Sequence, residues 1–487
     1  IKGDDKVLLK SGGLVTVPVV TSEITNDNNK AAISVKSAEL SSANDIVFNA
    51  KADVDISAGS DLNIYGGVSV AAGKSLAKTN VFNEINLRQG AKLSSGGDVY
   101  FTLSQPKTAS GSAFDNTGRS YIKASGVTNV WNATALAFNA DSAAKGDIYV
   151  NNNVNVDSGA SVRSGRNINI NGVKALTAAT GLLDLTSPLG DLAASSKSTS
   201  VKTEQKTNVK IDGELLAGVN NSVKLTIDGN RNITVNGGEL PGYTITSERL
   251  SENILNEIEK FRILKAQYSV SEVSAAAYQA EINRLESELA ALGQIDENGL
   301  MTEVPVDFIV FDDIRANMGD ISINADNITG AGKLSAPGSA EVEINNNSDL
   351  FMRFNDVAID SSSTGSIYYN GAFVKSAQDI ASANADYKTA SLSEVVSSGG
   401  LENGRPSIKI KSSYSYQNRA PNLEFLGDIL NDNGDINVYS SGSIQAKGNM
   451  RAKNISMEAA DKIMQSYVSD SFLHVAGNPY GYWGDVA

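Results

Sequence analysis

The chain has 487 residues with 41 basic and 55 acidic side chains, a formal charge of −14, no cysteine and a single histidine, His474. These counts exclude a disulfide framework and a Cys/His zinc centre, and the negative balance disfavours nucleic acid and anionic membranes as partners. Glycine is abundant at 43, proline scarce at 9 and aromatics only 6 %, which points to a thin core of Val, Ile, Leu and Ala, while a hydrophobic fraction of 41 % is too high for disorder.

The first residues, Ile1-Lys2-Gly3-Asp4-Asp5, lack both Met and a hydrophobic region, so the chain reads as an internal fragment or a processed product. Short alternating strands with polar corners follow at once. Asp45-Ile46-Val47-Phe48, Val54-Asp55-Ile56, Asp61-Leu62-Asn63-Ile64, Glu84-Ile85-Asn86-Leu87 and Gly97-Asp98-Val99-Tyr100-Phe101 share one shape. Residues 104–116, rich in Ser, Ala and Gly, interrupt the pattern mildly. It returns as Gly146-Asp147-Ile148-Tyr149-Val150, Arg166-Asn167-Ile168-Asn169-Ile170, Val223-Lys224-Leu225-Thr226-Ile227 and Asn232-Ile233-Thr234-Val235. In each, apolar side chains alternate with polar ones, as a half-buried strand requires.

From Thr246 to Leu292 the period changes. Leu250, Ile254, Ile258 and Phe261 form one helical stripe, and Tyr278, Ile282, Leu285, Leu289 and Leu292 form another. Ser247 and Glu248 suit a helix start, Tyr268 to Ser271 a bend, and Gly293 a C-terminal stop. An antiparallel helical hairpin inserted among the strands is expected. Its stripes read first as faces that pair with each other, and second as those of a protruding docking arm.

The strand unit resumes at Gly319-Asp320-Ile321-Ser322-Ile323 and Glu341-Val342-Glu343-Ile344. A second interruption runs from Ser376 to Leu426, with a short helix expected over 379–387. Ser407-Ile408-Lys409-Ile410-Lys411 and Tyr414-Ser415-Tyr416 read as a strand pair outside the main stack. The clearest unit comes last: Gly434-Asp435-Ile436-Asn437-Val438-Tyr439, then the Ser441-Gly442 turn, then Ile444-Gln445-Ala446. Asn454-Ile455-Ser456-Met457 repeats it, and an aromatic-rich segment, 467–485, closes the chain as a packed cap or an exposed patch.

Strands this short need neighbours. An array of β-sandwiches would show a boundary and a larger core about every hundred residues, and no such grouping is visible. Degenerate repetition, turn-rich composition and scarce aromatics favour an all-β fold, a right-handed parallel β-helix, or β-solenoid, carrying the helical hairpin. The expected division is 1–245 β-helix, 246–300 helical hairpin, 301–375 β-helix, 376–426 extra-helical insertion and 427–487 terminal β-helix and aromatic segment.

Motifs of catalysis are nearly absent. There is no Cys nucleophile, no Gly-x-Gly-x-x-Gly and no P-loop, and His474 is the one histidine base. Asp98, Asp147, Asp191, Asp320, Asp428 and Asp435 each follow a Gly. At such corners Asp caps its own turn, a structural use that outweighs a catalytic one. No catalytic, cofactor-binding or metal-binding residue is assigned. No apolar run approaches the ~20 residues of a membrane-spanning helix, and zero cysteine suits a chain exported unfolded through an oxidising compartment.

The units Gly434-Asp435-Ile436-Asn437-Val438 and Gly442-Ser443-Ile444-Gln445-Ala446-Lys447-Gly448 resemble those of filamentous-haemagglutinin-type exoproteins. Together with Ala476-Gly477-Asn478-Pro479-Tyr480-Gly481-Tyr482-Trp483-Gly484 and the helical insertion they are most similar to leukotoxin-like large filamentous adhesins. The resemblance implies a non-catalytic segment of a bacterial surface filament, outside the cell, exported by a two-partner or autotransporter route through an outer-membrane transporter. It implies attachment to glycans or proteins of host or bacterial surfaces. A β-helix carbohydrate-active enzyme and a self-assembling surface-layer subunit are the alternatives.

Overall fold

The computed structural model describes residues 2–103, 121–172, 175–189, 197–219, 222–248, 250–268, 272–292, 294–295, 301–302, 306–336, 340–360, 363–383, 392–397, 405–415, 421–461 and 463–465. The described chain is predominantly strand with three helices, and most strand pairs are parallel. It forms two compact units that are not consecutive in sequence. One comprises Ile1–Asn220, Met318–Ser339 and Ser362–Gly404, the other Asn221–Asn317, Ala340–Ser361 and Arg405–Ala487, so the chain passes between them five times.

Four ladders build the first unit. The strand Val54–Leu87 belongs to two of them. Its first half pairs in parallel with Lys2–Thr16 and Tyr121–Asn139, and Leu176–Thr186 extends that ladder. Its second half pairs with Val19–Val35 and Ser142–Val156, and Lys197–Ile211 extends the second. Between the halves the chain reverses at Gly66, whose φ is +143° and where a Cβ would strike the Gly13 carbonyl.

The reversal lays the two ladders face to face. Val54, Ile56 and Ile122 of the first meet Ala77, Val81, Ile148 and Val150 of the second. Where the sheets come closest, small residues are obligatory. A Cβ on Gly146 would lie 2.5 Å from the Thr180 carbonyl and 2.7 Å from that of Ala124, and one on Gly126 would strike the Lys145 carbonyl. Polar residues inside the sandwich satisfy each other: the Ser75 and Thr128 hydroxyls are 2.7 Å apart, and Asn83 donates to Asn152 at 3.0 Å.

The lower part of the second ladder joins two ladders of short strands around an apolar core. One contains Lys92–Ser95, Ser161–Ser164, Glu214–Leu216 and Lys333–Ala336; in register, Leu93, Val162, Leu215 and Leu334 stack above one another. The other contains Ile46–Ala50, Val99–Leu103, Ile168–Gly172, Ile321–Asn324 and Ile367–Tyr369, with Val99, Ile168, Ile321 and Ile367 in line. Phe48 and Phe101 stack with ring centroids 5.6 Å apart. The helix Ala377–Ala383, capped by Ser376 and Asp379, buries Ile380 in this core. It starts earlier than the expected 379–387, and residues 384–391 lie outside the described residues.

The second unit repeats the stacking with other side chains. Phe311, Phe354 and Phe425 stack with 5.3 Å between successive centroids, all fully buried. Val342, Ile408, Ile436 and Ile455 are register partners. This corrects the expectation for 407–411. Ser407–Ser412 is no outlying strand; it lies between Glu341–Asn346 and 435–440, because Ile408 and Ile410 alternate in phase with the apolar residues on either side. Gly434 is likewise no corner: it is buried inside the strand Ile429–Ser440 at a register shift, where a Cβ would meet the Pro406 carbonyl.

Helices occupy Leu250–Gln267 and Glu272–Leu292. The preceding residues, Tyr243–Glu248, form a strand antiparallel to Val306–Phe311, so 246–248 are not helical. β-branched Thr244, Ile245 and Thr246 favour that strand. Ile254, Ile258, Ile282 and Leu285 form a core between the helices, joined by Phe261 and Leu289. The two stripes read from the sequence therefore face each other.

Candidate functional site

Carboxylates at corners were the first places to look for chemistry, and the geometry shows what occupies them. Asp45 accepts the backbone N–H of Asp98 at 2.8 Å. Asp98 accepts both the backbone N–H and the side-chain amide of Asn167, at 3.0 and 3.1 Å. Asn167 accepts the N–H of Asp320 at 2.9 Å, and Asp320 accepts those of Thr364 and Ser366 at 2.9 and 2.8 Å. These contacts bridge sequence separations of 53, 69, 153 and 46 residues, so each side chain ties one pass of the chain to another.

In the second unit Asp428 accepts the N–H of Asn449 at 2.8 Å and its own N–H goes to Asp356 at 2.9 Å. Asp435 accepts from the Asn454 amide at 2.7 Å. This corrects the expectation that each Asp caps its own turn: the carboxylates of Asp98, Asp320, Asp428 and Asp435 accept from other passes of the chain. Asp147 stands within the strand Ser142–Val156, between Lys78 and Lys202 in register. Tyr100 donates to Asp98 at 2.5 Å, and burial together with that carboxylate pushes its hydroxyl well above the usual phenol range. Asp191, His474 and the segment 467–485 lie outside the described residues.

A concave site does exist, and sequence reasoning missed it. It is a cleft of about 480 Å³ in the second unit, between the base of the helical hairpin and the sheet strands Phe351–Phe354, Leu423–Phe425 and Ile444–Ala446. Arg353 is among its lining residues. Its guanidinium donates to both oxygens of Glu248 at 2.8 and 3.2 Å and to Glu424 at 2.9 Å, and covers the Phe308 ring at 3.9 Å. Burial works against the charge, but the two carboxylates outweigh it and raise its affinity for the proton. Lys260, Arg284 and Lys447 complete a mixed-charge lining. Arg284 is itself held by Glu281 at 2.6 Å.

This arrangement fastens the hairpin's entry strand to the sheet. Glu248 sits on the strand that leads into the first helix, and Arg353 ties it to its neighbours two strands away. Three carboxylates line the cleft; Glu248 and Glu424 are engaged by that arginine, and Glu257 is contributed by the first helix. Among the described residues, no group of three or more His, Cys, Asp or Glu side chains is placed to hold a metal ion. The signal for the cleft, an Arg lying 105 residues from one Glu and 71 from the other, has no local pattern to find.

Comparison of the chain with protein-family models, with curated proteins and with solved structures finds no match.

Proposed function

We propose that the chain is a structural and adhesive segment of a large secreted bacterial surface filament, built as a right-handed parallel β-helix. The observation that carries this reading is the register: strand after strand pairs in parallel with another tens of residues away, with like side chains stacked inward. Parallel stacking of repeated passes is what a solenoid needs, and it leaves long outward faces available for contact. The engagement of the corner carboxylates and of Glu248 and Glu424 in structural bonds supports a non-catalytic role.

In this reading the filament acts outside the cell, after passage through an outer-membrane transporter, and binds glycans or proteins of host or bacterial surfaces. No helix of the described residues is long and apolar enough to cross a membrane. The test is retention of beads coated with the purified chain on cell monolayers and bacterial lawns. Specific, saturable retention is expected. Release of reducing ends from polysaccharide would replace the reading with a carbohydrate-active enzyme, and ordered arrays in negative stain would replace it with a self-assembling subunit.

A further inference from the structure

The outward face of the first ladder carries an aromatic pair, Tyr65 exposed and Trp131 half-buried. Tyr65 and Trp131 sit on neighbouring strands with ring centroids 5.0 Å apart and planes tilted by 59°. In parallel register Trp131 is level with Asn63 and Thr186, and Lys10 completes the rung. Tyr65 lies on the next rung, between Gly12 and Ala133. With only a hydrogen and a methyl beside it on its own rung, the tyrosine ring leans on Trp131 and is 51 % exposed. Aromatic residues are costly on a solvated face and are otherwise scarce in this chain, at 6 %. The fold does not use these two rings in a core: their strand neighbours Ile64, Val130 and Asn132 are the ones turned inward.

We propose that this face binds an uncharged oligosaccharide, stacking a pyranose ring on Tyr65 and Trp131. The C–H face of a sugar suits an aromatic ring, and the Asn63 amide and Thr186 hydroxyl on the Trp131 rung supply the polar partners that fix its orientation. Charge complementarity points the same way. Asp61, on the adjoining rung, is neutralised by Lys6 at 2.8 Å and accepts from Asn129 at 2.7 Å. Lys10 and Asp184 then leave no net sign at the rings, in a chain whose total is −14. An anionic glycan or membrane surface would find no basic field here.

This inference rests on the adhesive reading and names its partner class. The chain has two tryptophans, Trp131 and Trp483, so in a Trp483→Phe background the indole of Trp131 reports alone. The probe is a panel of neutral gluco-, galacto- and manno-oligosaccharides, with heparin as the anionic comparator and phosphatidylcholine vesicles as the apolar one. A blue shift of Trp131 emission with a neutral oligosaccharide is expected. Trp131→Leu, followed by affinity electrophoresis, and Tyr65→Ser should each weaken binding by about tenfold or more, with unchanged circular dichroism. No shift with any neutral probe, binding indifferent to both substitutions, or preference for heparin or vesicles would overturn the assignment. Beads carrying the doubly substituted chain separate the two claims. Undiminished retention on cells would overturn this site and leave the adhesive reading standing, whereas wild-type beads that fail to adhere would remove that reading itself.

Discussion

Ile436 and Asn437 are adjacent and have opposite environments. Ile436 is fully buried between Ile408 and Ile455, while Asn437 faces solvent. Ile436→Asp would place an unpaired charge in that stack at a cost of several kcal/mol. Asn437→Asp should cost well under ~1 kcal/mol. Because each strand contacts mainly its ladder neighbours, limited proteolysis of Ile436→Asp should show new cuts near residues 405–460 while the described residues of 1–220, in the other unit, stay protected. Equal tolerance of the two changes, or collapse of the whole chain from the first, would contradict this. Glycines divide in the same way. Gly146→Val would drive a side chain into the Thr180 and Ala124 carbonyls and should prevent the two sheets from closing. At Gly59 a Cβ would make ordinary contacts with the Lys6 side chain at 3.5 Å and the Asp5 carbonyl at 3.8 Å, so Gly59→Ala should leave the thermal midpoint unchanged or raise it, by up to ~1 kcal/mol in stability.

The helical hairpin is a nearly self-contained element. Among the described residues, its core draws only on its own two helices. Removal of 250–292 with a short Gly/Ser link, keeping the paired strand Tyr243–Glu248 and its contact with Arg353, should leave the strand signal in circular dichroism and remove most of the helical one, with Ala377–Ala383 remaining. Loss of soluble protein would mean that the helices complete the core of the sheet beneath them. The periodicity that reveals this hairpin is local, at three- and four-residue spacing, which is why its helices are legible in the sequence. The strand Ser407–Ser412 shows the converse. Its alternation is legible, but its place between two other strands depends on residues sixty or more positions away in one direction and under thirty in the other.

Acid tests the molecule as a whole. Hydrogen bonds from Ser247 and then Arg231 hold Asp307 below the usual carboxylate range. Lys210 and the Ala331 N–H do the same for Asp212, and Lys224, then Lys409, for Glu341. A carboxylate with a depressed folded pKa stabilises the fold fully above its unfolded value, near ~4, and loses that contribution as pH falls through the folded value. The denaturant midpoint should therefore be flat from pH 7 to about 5 and fall below about 4. A midpoint that holds or rises between pH 5 and 3 would show that these pairs do not stabilise the fold. These carboxylates are partly exposed, so high salt should reduce the acid sensitivity.

Alternation of apolar and polar residues by itself determined that the chain is strand-rich and which residues of each strand turn inward, whereas two of the expected corner carboxylates, Asp147 and Asp435, lie within strands. Strand content and inward faces follow from local sterics and from the need to bury one face of each strand. Tertiary structure alone decided which strands meet. Neighbours in a ladder lie at unequal separations, and a period-two pattern fits any partner in the right phase, so register cannot be read from one strand. That choice sets the interleaving of the two units, the Arg353 bridge between Glu248 and Glu424, and the meeting of Tyr65 with Trp131. Each joins residues whose proximity no local interaction encodes, and arises only when the packed cores align the strands that carry them.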